Sequence, residues 1–359
     1  MDLGPPPRYR TPGRAAGGNP DVRFDRLTRE GADDGWTLDD DLPVLRTQVS
    51  DEVPRRVISK NTSPDISFEQ SINPYRGCEH GCIYCFARPS HAYLGLSPGL
   101  DFETRLIARP DAPQVLAREL RAKGYVPRTI AIGTNTDPYQ PIERDRGIMR
   151  GILQVLSEFN HPVAIVTKGA LITRDIDILA PMAAKGLARV GVSVTTLDNA
   201  TSRAMEPRVP LPAVRLRAIR ALTEAGIDVR VMVSPIVPAL TDHELEAILK
   251  AAAEAGAVAA SSIVLRLPRE VAGLFRDWVA ETYPDRAARI MGRVRELHGG
   301  MDYDPAFGTR MTGQGEWARL LRQRFDLAAR RLGLDRRLPP LRTDLFAAPP
   351  RAGDQLSLL

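Results

Sequence analysis

Short apolar runs alternate with amphipathic stretches through the middle of the chain. The apolar runs TIAIG, VAIVT, ARVGVSV, VRVMVS and SIVLRL occupy residues 129–133, 163–167, 188–194, 229–234 and 262–267. Near-continuous apolar runs of this length are typical of strands that are covered on both faces. The stretches between them have a helical period and occupy residues 112–123, 143–159, 173–185, 211–225 and 241–255. The pattern therefore predicts alternating strands and helices.

This alternation predicts an α/β fold with a parallel sheet and right-handed crossovers, either a barrel or a doubly wound sheet. With a short strand before Cys78, there are five or six strand–helix units, fewer than the eight of a closed barrel. Several helices have recognisable end signals. The sequence TDHE at residues 241–244 reads as a capping box, and Gly226 and Gly256 follow helical stretches.

The two ends of the chain differ from this middle region. Residues 1–60 are rich in Pro, Gly, Asp and Arg and have no sustained period, which predicts an extended, partly disordered extension. Residues 61–270 then form the α/β region. Residues 271–298 and 315–332 are helical in pattern, so residues 271–340 are expected to be an appended helical region. Residues 341–359 are predicted to be a flexible tail.

Composition narrows the class of protein. Of 359 residues, 43% are hydrophobic and 26% are charged, which are ordinary values for a soluble protein. No run of eighteen apolar residues is present, and the N-terminus lacks the apolar region of a secretory signal, so we expect a cytoplasmic protein. The net charge of +5 permits a polyanionic partner. One predicted helix carries arginines that form either a solvated face or a nucleic-acid-facing surface, namely Arg319, Arg322, Arg324, Arg330 and Arg331.

All three cysteines lie in the stretch NPYRGCEHGCIYC, as Cys78, Cys82 and Cys85. Such clustering makes a poor disulfide framework and a good metal site. Zinc is one alternative, with His80 or His91 as the fourth ligand. The other is a four-iron cluster, because three cysteines leave one iron without a protein ligand. That open iron suits the amino and carboxylate groups of S-adenosylmethionine.

The spacing CxxxCxxC, with Tyr84 just before the last cysteine, resembles the radical S-adenosylmethionine superfamily. The resemblance covers about residues 70–270 and is strongest to the branch of spore photoproduct lyase and its uncharacterised relatives. It implies a partial (β/α)6 barrel, a [4Fe-4S] cluster and S-adenosylmethionine, which is cleaved to a 5′-deoxyadenosyl radical. It also implies an electron donor such as flavodoxin or ferredoxin.

The same resemblance assigns cofactor-binding residues to two strand ends. In GTNTDPYQPIE, residues 133–143, it gives Thr136 and Asp137 the role of holding the methionyl amino group. The alternative is an ordinary Asp-Pro turn. In TKGA, Lys168 matches a lysine that contacts the carboxylate of the cofactor. Without the resemblance, Lys168 is a plain cation at a strand end.

Two further strand ends and the cysteine motif complete the expected cofactor site. Ser193, in SVTTLD, matches a serine that bonds to the ribose or methionine portion, although such a serine is often a local backbone cap. In MVSPIVP, Ser234 and Ile236 correspond to a segment that flanks the adenine. Tyr84 completes the set by its place in the motif. We expect all of these residues at one edge of the sheet.

The chain departs from spore photoproduct lyase in one respect that matters for chemistry. The lyase has a cysteine near the GTNTD position that returns a hydrogen atom to the repaired thymine, and this chain has no cysteine outside the motif. Hydrogen return therefore falls to Tyr139, to another tyrosine or to regenerated deoxyadenosine. An auxiliary cysteine-ligated cluster is also excluded.

The last five residues, QLSLL, resemble the peptide by which bacterial polymerases and repair proteins dock on the DNA sliding clamp. Its anchors are Gln355, Leu356, Leu358 and Leu359. Leu359 replaces the usual phenylalanine, which should weaken the fit. Alternatively, the leucines dock on the surface of the protein itself.

Three hypotheses about function follow. The first is a radical enzyme with lyase-like or oxidoreductase-like chemistry that acts on a DNA lesion or another nucleic-acid base, in DNA repair. The second is a radical enzyme that modifies RNA. The third is a zinc-stabilised nucleic-acid-binding protein without catalysis. Trp278 and Trp317 are expected to be core anchors of the appended helices rather than platforms for bases.

Overall fold

The structure is a computed structural model that describes residues 13–24 and 45–350. Its strands are β1 (Gln48–Asp51), β2 (Ser59–Lys60), β3 (Gln70–Ile72), β4 (Tyr75–Arg76), β5 (Arg105–Ala108), β6 (Ile130–Ile132), β7 (Val163–Thr167), β8 (Ala188–Ser193), β9 (Val229–Ile236) and β10 (Ala259–Val264). Its helices are α1 (Leu100–Thr104), α2 (Ala112–Leu120), α3 (Glu143–Arg146), α4 (Ile148–Glu158), α5 (Ile176–Ala184), α6 (Asn199–Met205), α7 (Pro212–Glu224), α8 (Leu245–Glu254), α9 (Glu270–Thr282), α10 (Ala287–Leu297) and α11 (Gly315–Arg331).

The main sheet has seven strands in the order β10-β9-β8-β7-β6-β3-β2. Six of them, from β3 to β10, are parallel neighbours in chain order, and β2 is an antiparallel edge strand. Among the described strands, β10 and β2 do not pair, so the sheet is open. The predicted α/β fold with six parallel units and no closed barrel is confirmed. The carboxyl ends of the six strands form one edge, where barrel sites are built.

The last parallel strand was predicted too far along the chain. The apolar pattern placed it at residues 262–267, whereas β10 is Ala259–Val264 and begins opposite Arg230 of β9. The polar Ser261 and Ser262 lie inside the strand, which weakened its apolar signal. Leu265 and Leu267 lie beyond it and belong to the apolar cluster that contains Phe275 and Trp278 of α9. Burial against a helix therefore produced the apolar run that was taken for strand.

Two predicted helix signals also differ from the structure. The stretch 143–159 is divided at Gly147, whose φ of 63° ends α3 before α4 begins. The capping box at 241–244 is not formed. Instead, the hydroxyl of Thr241 accepts a bond from the Val237 amide at 3.0 Å. The carboxylate of Glu244 accepts bonds from Thr196 and Leu197, both at 2.6 Å. Glu244 therefore ties α8 to the end of β8.

A small second sheet, in the order β1-β5-β4, carries the loop with the cysteines. β1 pairs in parallel with β5, and β4 pairs with β5 in the antiparallel sense. Both β1 and residues 13–24 belong to the predicted N-terminal extension. The buried amides of Ala15 and Ala16 donate to the carboxylate of Glu103, which is itself fully buried. This part of the extension therefore packs against the loop that carries the cysteines.

The appended helices pack against the cysteine loop, and against α8 and β10 at one side of the sheet. α9 and α10 share an apolar cluster with Cys82, Ile83 and Tyr84, and Trp278 is buried in it, as expected of a core anchor. α11 packs on α8, where Arg324 forms two bonds with Glu246 at 2.6 and 2.7 Å. At least one arginine of α11 therefore holds two helices together.

The segment between α10 and α11, residues 298–314, touches both free edges of the open sheet. The carbonyl of Met311 accepts a bond from the Val264 amide at the end of β10. The next residue back, Arg310, forms a double ion pair with Asp65, which lies between β2 and β3. The segment therefore bridges the opening through one backbone hydrogen bond and one ion pair.

Residues 334–350 run along the amino-terminal ends of the strands. Their contacts with the sheet are Ala260 N to Leu334 O, Arg189 Nη2 to Pro339 O, Arg342 N to Gly186 O and Ala347 N to Phe159 O, at 2.6–3.0 Å. Residues 351–359 lie outside the described part of the chain, so the clamp hypothesis for Gln355, Leu356, Leu358 and Leu359 stays a prediction. In residues 13–24 and 45–350, no helix is long and apolar enough to cross a bilayer.

Candidate metal and cofactor site

The three cysteines lie on residues 77–87, here called the cysteine loop, which follows β4. Cys78 and Cys82 are buried and Cys85 is half-buried, and all three are free thiols. Two turns shape the loop, with the Gly81 amide bonded to the Cys78 carbonyl and the Cys85 amide to the Cys82 carbonyl, both at 3.2 Å. Gly81 has a φ of 65°, and a side chain there would meet Glu103 at 2.7 Å. Only glycine fits this position.

The thiols influence one another electrostatically. Burial, together with the charges of Asp137 and of the other two cysteines, raises the pKa of the Cys78 thiol well above its ordinary value. Burial raises the pKa of Cys82 to about 12, and the charge of Cys85 acts in the same direction. The three thiols are therefore close enough to interact with one another. As thiolates they would need a positively charged partner.

A buried arginine fixes the backbone of the loop. The guanidinium of Arg88 donates to the carbonyls of Gly81 and Cys82, each at 3.0 Å, and pairs with Glu103 at 2.5 Å. Arg88 and Glu103 are both fully buried. The pair turns two loop carbonyls inward and holds the segment that carries Cys82.

Tyr84 is hydrogen-bonded to a group of residues at the end of β8. Its hydroxyl donates to Glu206, whose other carboxylate oxygen pairs with Arg215. Thr195 also donates to Glu206, at 3.0 Å, and Arg215 donates to the Ser193 carbonyl at 3.1 Å. Burial and the charge of Glu206 raise the pKa of Tyr84 well above 10. Tyr84 is therefore a neutral donor that links the cysteine loop to the end of β8.

Asp137 braces the end of β7 and the cysteine loop. Its carboxylate accepts bonds from the Thr167 hydroxyl at 2.6 Å and the Lys168 amide at 2.7 Å. It also lies 3.3 Å from Nδ1 of His80, between the first two cysteines. Burial opposes its ionisation, but His80 and these bonds hold the pKa of Asp137 at about 2. Thr136 donates to the Tyr75 carbonyl at 2.8 Å. Their role toward a methionyl amino group stays a prediction.

The two histidines proposed as a fourth metal ligand have partners in the protein. His80 faces Asp137 through Nδ1, as described above. His91 is fully buried, and its Nε2 lies 2.9 Å from the Arg105 carbonyl. Burial lowers the pKa of His91 to about 4, so its imidazole is neutral. Both residues therefore support the loop through at least one ring nitrogen.

Lys168 extends from the end of β7 toward the cysteine loop. Its Nζ lies 5.7 Å from the centre of the Tyr84 ring, and it forms no ion pair with a described residue. Burial opposes its charge, yet Cys82, Glu206 and Asp137 raise the pKa of Lys168 above its ordinary value. The group is therefore a cation that no described carboxylate pairs with directly.

The remaining predicted cofactor residues lie on the neighbouring strands β8 and β9. Ser193 ends β8 opposite Met232 of β9, and its carbonyl holds Arg215. The hydroxyl of Ser234 is buried and has no hydrogen-bond partner in the described structure. Ile236 ends β9, and its carbonyl accepts a bond from the Leu265 amide at 3.0 Å. All three lie toward the same sheet edge as Lys168.

Tyr139 has a separate environment. Its hydroxyl donates to Asp175 at 3.2 Å, and Asp175 pairs with Arg150 and Arg174. Burial and the charge of Asp175 raise the pKa of Tyr139 well above 10. The hydroxyl therefore belongs to a buried ion-pair network beside α4 and α5, and its role as a radical relay stays a prediction.

Comparison with known proteins identifies the family. Residues 72–252 match the family model described as the radical SAM superfamily. The chain belongs to the radical SAM superfamily. A relative in Mycobacterium tuberculosis, the uncharacterised protein Rv2578c, is 36% identical over 291 residues, which are 80% of this chain and 82% of that protein. The uncharacterised protein MJ0683 of Methanocaldococcus jannaschii is 27% identical over 173 residues, 48% of this chain and 62% of that protein.

Solved structures show the same fold. Spore photoproduct lyase complexed with dinucleoside spore photoproduct aligns over 79% of each chain with a TM-score of 0.57 and 16% identity. A variant of the lyase with bound AdoMet and the same dinucleoside aligns over 79% of each chain with a TM-score of 0.52 and 14% identity. At this identity the likeness concerns the fold alone. It agrees with the suspected branch of the superfamily.

The donor set suits the iron–sulfur cluster and S-adenosylmethionine that radical SAM membership implies. Within residues 13–24 and 45–350, no three His, Cys, Asp or Glu side chains surround a single metal-ion position. A four-iron cluster instead binds each cysteine through a separate iron, so it requires neighbouring thiols that do not converge on one point. The cysteine loop offers such thiols, and Lys168 offers a cation beside them.

The sequence did not reveal the residues that hold this site together. Arg88, Glu103, Glu206 and Arg215 are fully buried, although charged residues usually lie at the surface. Some of their partners are distant in the chain, as Tyr84 is from Glu206, whereas Arg215 and Glu206 are only nine residues apart. No short motif marks them. The one sequence signal was proximity, since Arg88 follows Cys85 closely.

Proposed function

We propose that this radical SAM protein is a [4Fe-4S] enzyme that reductively cleaves S-adenosylmethionine and acts on a nucleic-acid base, with a DNA lesion as the favoured substrate. One observation carries the proposal. Three free, mostly buried thiols lie on one loop, and Lys168, a cation that forms no ion pair with a described residue, approaches that loop from the end of β7. The arrangement offers ligands to three irons and a partner for the carboxylate of the cofactor.

Each part of the cofactor has a proposed partner. Cys78, Cys82 and Cys85 hold the cluster, and Lys168 holds the cofactor carboxylate. We assign the adenine to Ser234 and the backbone near Ile236, and the ribose or methionine portion to Ser193. The methionyl amino group is assigned to Thr136 and Asp137. When bound, the cluster supplies the electron that breaks the sulfonium carbon–sulfur bond and yields the 5′-deoxyadenosyl radical.

Two carboxylates orient the residues of this site before the cofactor binds. Glu206 fixes the hydroxyl of Tyr84, so the ring is held beneath Lys168. Asp137 fixes the Lys168 amide and His80, which ties the strand end to the cysteine loop. An external reductant of the flavodoxin or ferredoxin class delivers the electron. Because the chain has no fourth cysteine, hydrogen return is assigned to Tyr139, to another tyrosine or to regenerated deoxyadenosine.

The substrate class rests on three weaker supports. A structural neighbour is complexed with a dinucleoside photoproduct, the net charge is +5, and the chain ends in QLSLL. A positive protein suits a polyanion, and a clamp-binding tail would place the enzyme at replicated or repaired DNA. The net positive charge suits an RNA substrate equally well, which keeps an RNA-modifying radical enzyme as the second candidate. The nucleic acid that copurifies with the protein distinguishes DNA from RNA.

The test is iron analysis and cofactor turnover in protein purified without oxygen. We expect about four irons per chain and formation of 5′-deoxyadenosine after dithionite and S-adenosylmethionine are added. The Cys82→Ala variant should lose the brown colour and the turnover. Colourless wild-type protein that contains zinc and makes no 5′-deoxyadenosine would contradict the proposal and favour the zinc hypothesis.

A further inference from the structure

Arg266 is a second cation at the carboxyl edge of the sheet that has no anionic partner within residues 13–24 and 45–350. It lies two residues beyond the end of β10. Its guanidinium contacts only neutral groups, the sulfur of Met311 and the hydroxyl of Tyr303, both at 3.4 Å. Its Nε is buried without a hydrogen-bond partner, and the side chain forms no ion pair with a described residue. A partly buried positive charge is therefore left unneutralised.

Three other arginines near the cysteine loop pair with carboxylates. The pairs are Arg88 with Glu103, Arg215 with Glu206 and Arg208 with Glu79. Carboxylates are thus available in this part of the molecule. Removing a guanidinium from water without an anion costs free energy. Among the described residues, by contrast, no carboxylate pairs with Arg266, so its guanidinium is available to an anionic ligand.

An exposed aromatic ring accompanies this charge. Phe86 follows Cys85 directly and is 46% exposed, which is unusual for a phenylalanine. The Cζ atom of Arg266 lies 5.0 Å from the centre of its ring. A ring with exposed surface next to a free guanidinium is the arrangement that proteins use to stack an unpaired base and hold its phosphate.

A second exposed aromatic ring lies on the segment that contacts Arg266. Met311, which touches Arg266, is preceded by Arg310, whose Cζ lies 4.7 Å from the centre of the Phe307 ring. Phe307 is 59% exposed. Residues 298–314, which contact Arg266 through Met311, therefore carry a second exposed ring next to a guanidinium. A further aromatic ring on this segment suits a strand of nucleotides better than a free metabolite.

We propose that Phe86 and Arg266 form the substrate-binding site for an unpaired nucleotide within a nucleic-acid strand. The base stacks on the exposed face of Phe86, and Arg266 binds a phosphate of the same strand. The place of Phe86 next to Cys85 puts that nucleotide beside the cluster. This inference rests on the proposed function, because it names the surface by which that site recognises its substrate.

The test measures binding of a fluorescein-labelled oligothymidylate of about 12 nucleotides to the full-length, anaerobically purified holoenzyme by fluorescence anisotropy. Phe86→Ala and Arg266→Gln should each weaken binding by about 5- to 100-fold. Arg266→Gln should also lower the salt dependence of binding by about one counterion, which Phe86→Ala should not do. Arg266→Lys keeps the charge without the planar stack and should bind with intermediate affinity.

The chain offers a matched control. Arg293 stacks on Trp317 with its Cζ 4.6 Å from the ring, on the appended helices α10 and α11. Arg293→Gln should bind the strand within about twofold of wild type, since its loss removes a surface charge of little energetic weight. Circular dichroism of each variant checks that it has folded.

Three results would overturn the inference. They are no binding by the wild-type protein, equal binding by wild type and the Phe86→Ala and Arg266→Gln variants, and an equal loss in Arg293→Gln. A duplex that binds as tightly and depends as strongly on Phe86 would also exclude an unpaired base. Iron content and 5′-deoxyadenosine formation are measured on the same wild-type sample. Turnover without strand binding removes this site and leaves the proposed function intact, whereas a sample without iron contradicts the proposed function itself.

Discussion

At the scale of single residues, Lys168 is the feature that favours the proposed cofactor site over a structural metal site. Its charge is retained under burial because Cys82, Glu206 and Asp137 raise its pKa, and no described carboxylate pairs with it. A structural metal site, in which side chains complete the coordination of the ion, does not require such a cation. A site that binds the carboxylate of an amino-acid cofactor does.

Replacement of Lys168 tests this role. We expect Lys168→Met to weaken binding of S-adenosylmethionine by about 10- to 100-fold, the range of a lost charge-assisted hydrogen bond, while the iron content stays unchanged. Equilibrium dialysis with labelled cofactor measures the affinity. Lys185→Met is the matched control, because Lys185 is exposed and bonds only to Asn160. Unchanged affinity in Lys168→Met would remove this residue from the site.

Prediction from the sequence succeeded for residues that belong to a short local motif. The spacing of the cysteines and Tyr84 identified the family, and Lys168 lies beside them in the structure. No local sequence pattern indicated that Asp137 would bond to Thr167 and Lys168 and lie beside His80. Those bonds depend on how two strand ends approach the cysteine loop.

At the scale of elements, a buried ion pair joins the cysteine loop to α6 and α7. Glu206 follows α6, Arg215 lies in α7, and both side chains are fully buried. The pair also receives Tyr84 and Thr195. Its removal therefore affects both the stability of the fold and the orientation of the tyrosine next to Cys85.

Breaking this pair from one side should be costly. Arg215→Met leaves the Glu206 carboxylate buried and unpaired, so we expect the free energy of unfolding to fall by about 3–5 kcal/mol. The double variant Glu206→Gln with Arg215→Met should recover part of that loss, because no charge remains buried. Urea unfolding under argon measures both. A loss below about 1 kcal/mol in the single variant would show that the pair is not desolvated as described.

The strands and helices were predicted well where apolar runs and end signals agreed. β7 matches its predicted range, and Gly226 and Gly256 have φ values of 79° and 96° after their helices. β10 was displaced because buried residues after the strand extended the apolar run. α6 and the small sheet were not predicted, since short elements carry too few residues for a period to emerge.

At the scale of the whole molecule, buried neutral histidines make stability depend on pH. His161 is fully buried at the amino-terminal side of the sheet, where it bonds to Tyr125 and packs against Phe346. Burial lowers its pKa to about 4, as it does for His91. The unfolded chain binds a proton at these sites at higher pH than the folded chain does.

The sign of the effect follows from this difference. Stability is complete above the ordinary histidine pKa of about 6.5 and falls as the pH decreases toward 4, by about 3 kcal/mol for each buried histidine. Urea unfolding between pH 7 and 4.5 measures the slope. His161→Gln should make it shallower, whereas His243→Gln removes no buried imidazole and serves as the control. An identical slope in His161→Gln and wild type would contradict this assignment.

The architecture places function and support on opposite edges of one sheet. The cysteine loop, Lys168 and Arg266 lie toward the carboxyl ends of the strands, while residues 334–350 follow the amino ends. The segment 298–314 joins β10 to the β2–β3 connection through Arg310 and Asp65. Fold class was readable from the strand–helix alternation. This bridge was not, because its partners are 245 residues apart in sequence.

The central claim is that Cys78, Cys82 and Cys85 hold a cluster with one iron open to the cofactor. Electron paramagnetic resonance of the dithionite-reduced, oxygen-free protein tests it most directly, before and after addition of S-adenosylmethionine. We predict the signal of a reduced four-iron cluster whose shape changes when the cofactor is added, and its absence in Cys82→Ala. A wild-type protein with no cluster signal, or with a signal that the cofactor leaves unchanged, would contradict the account.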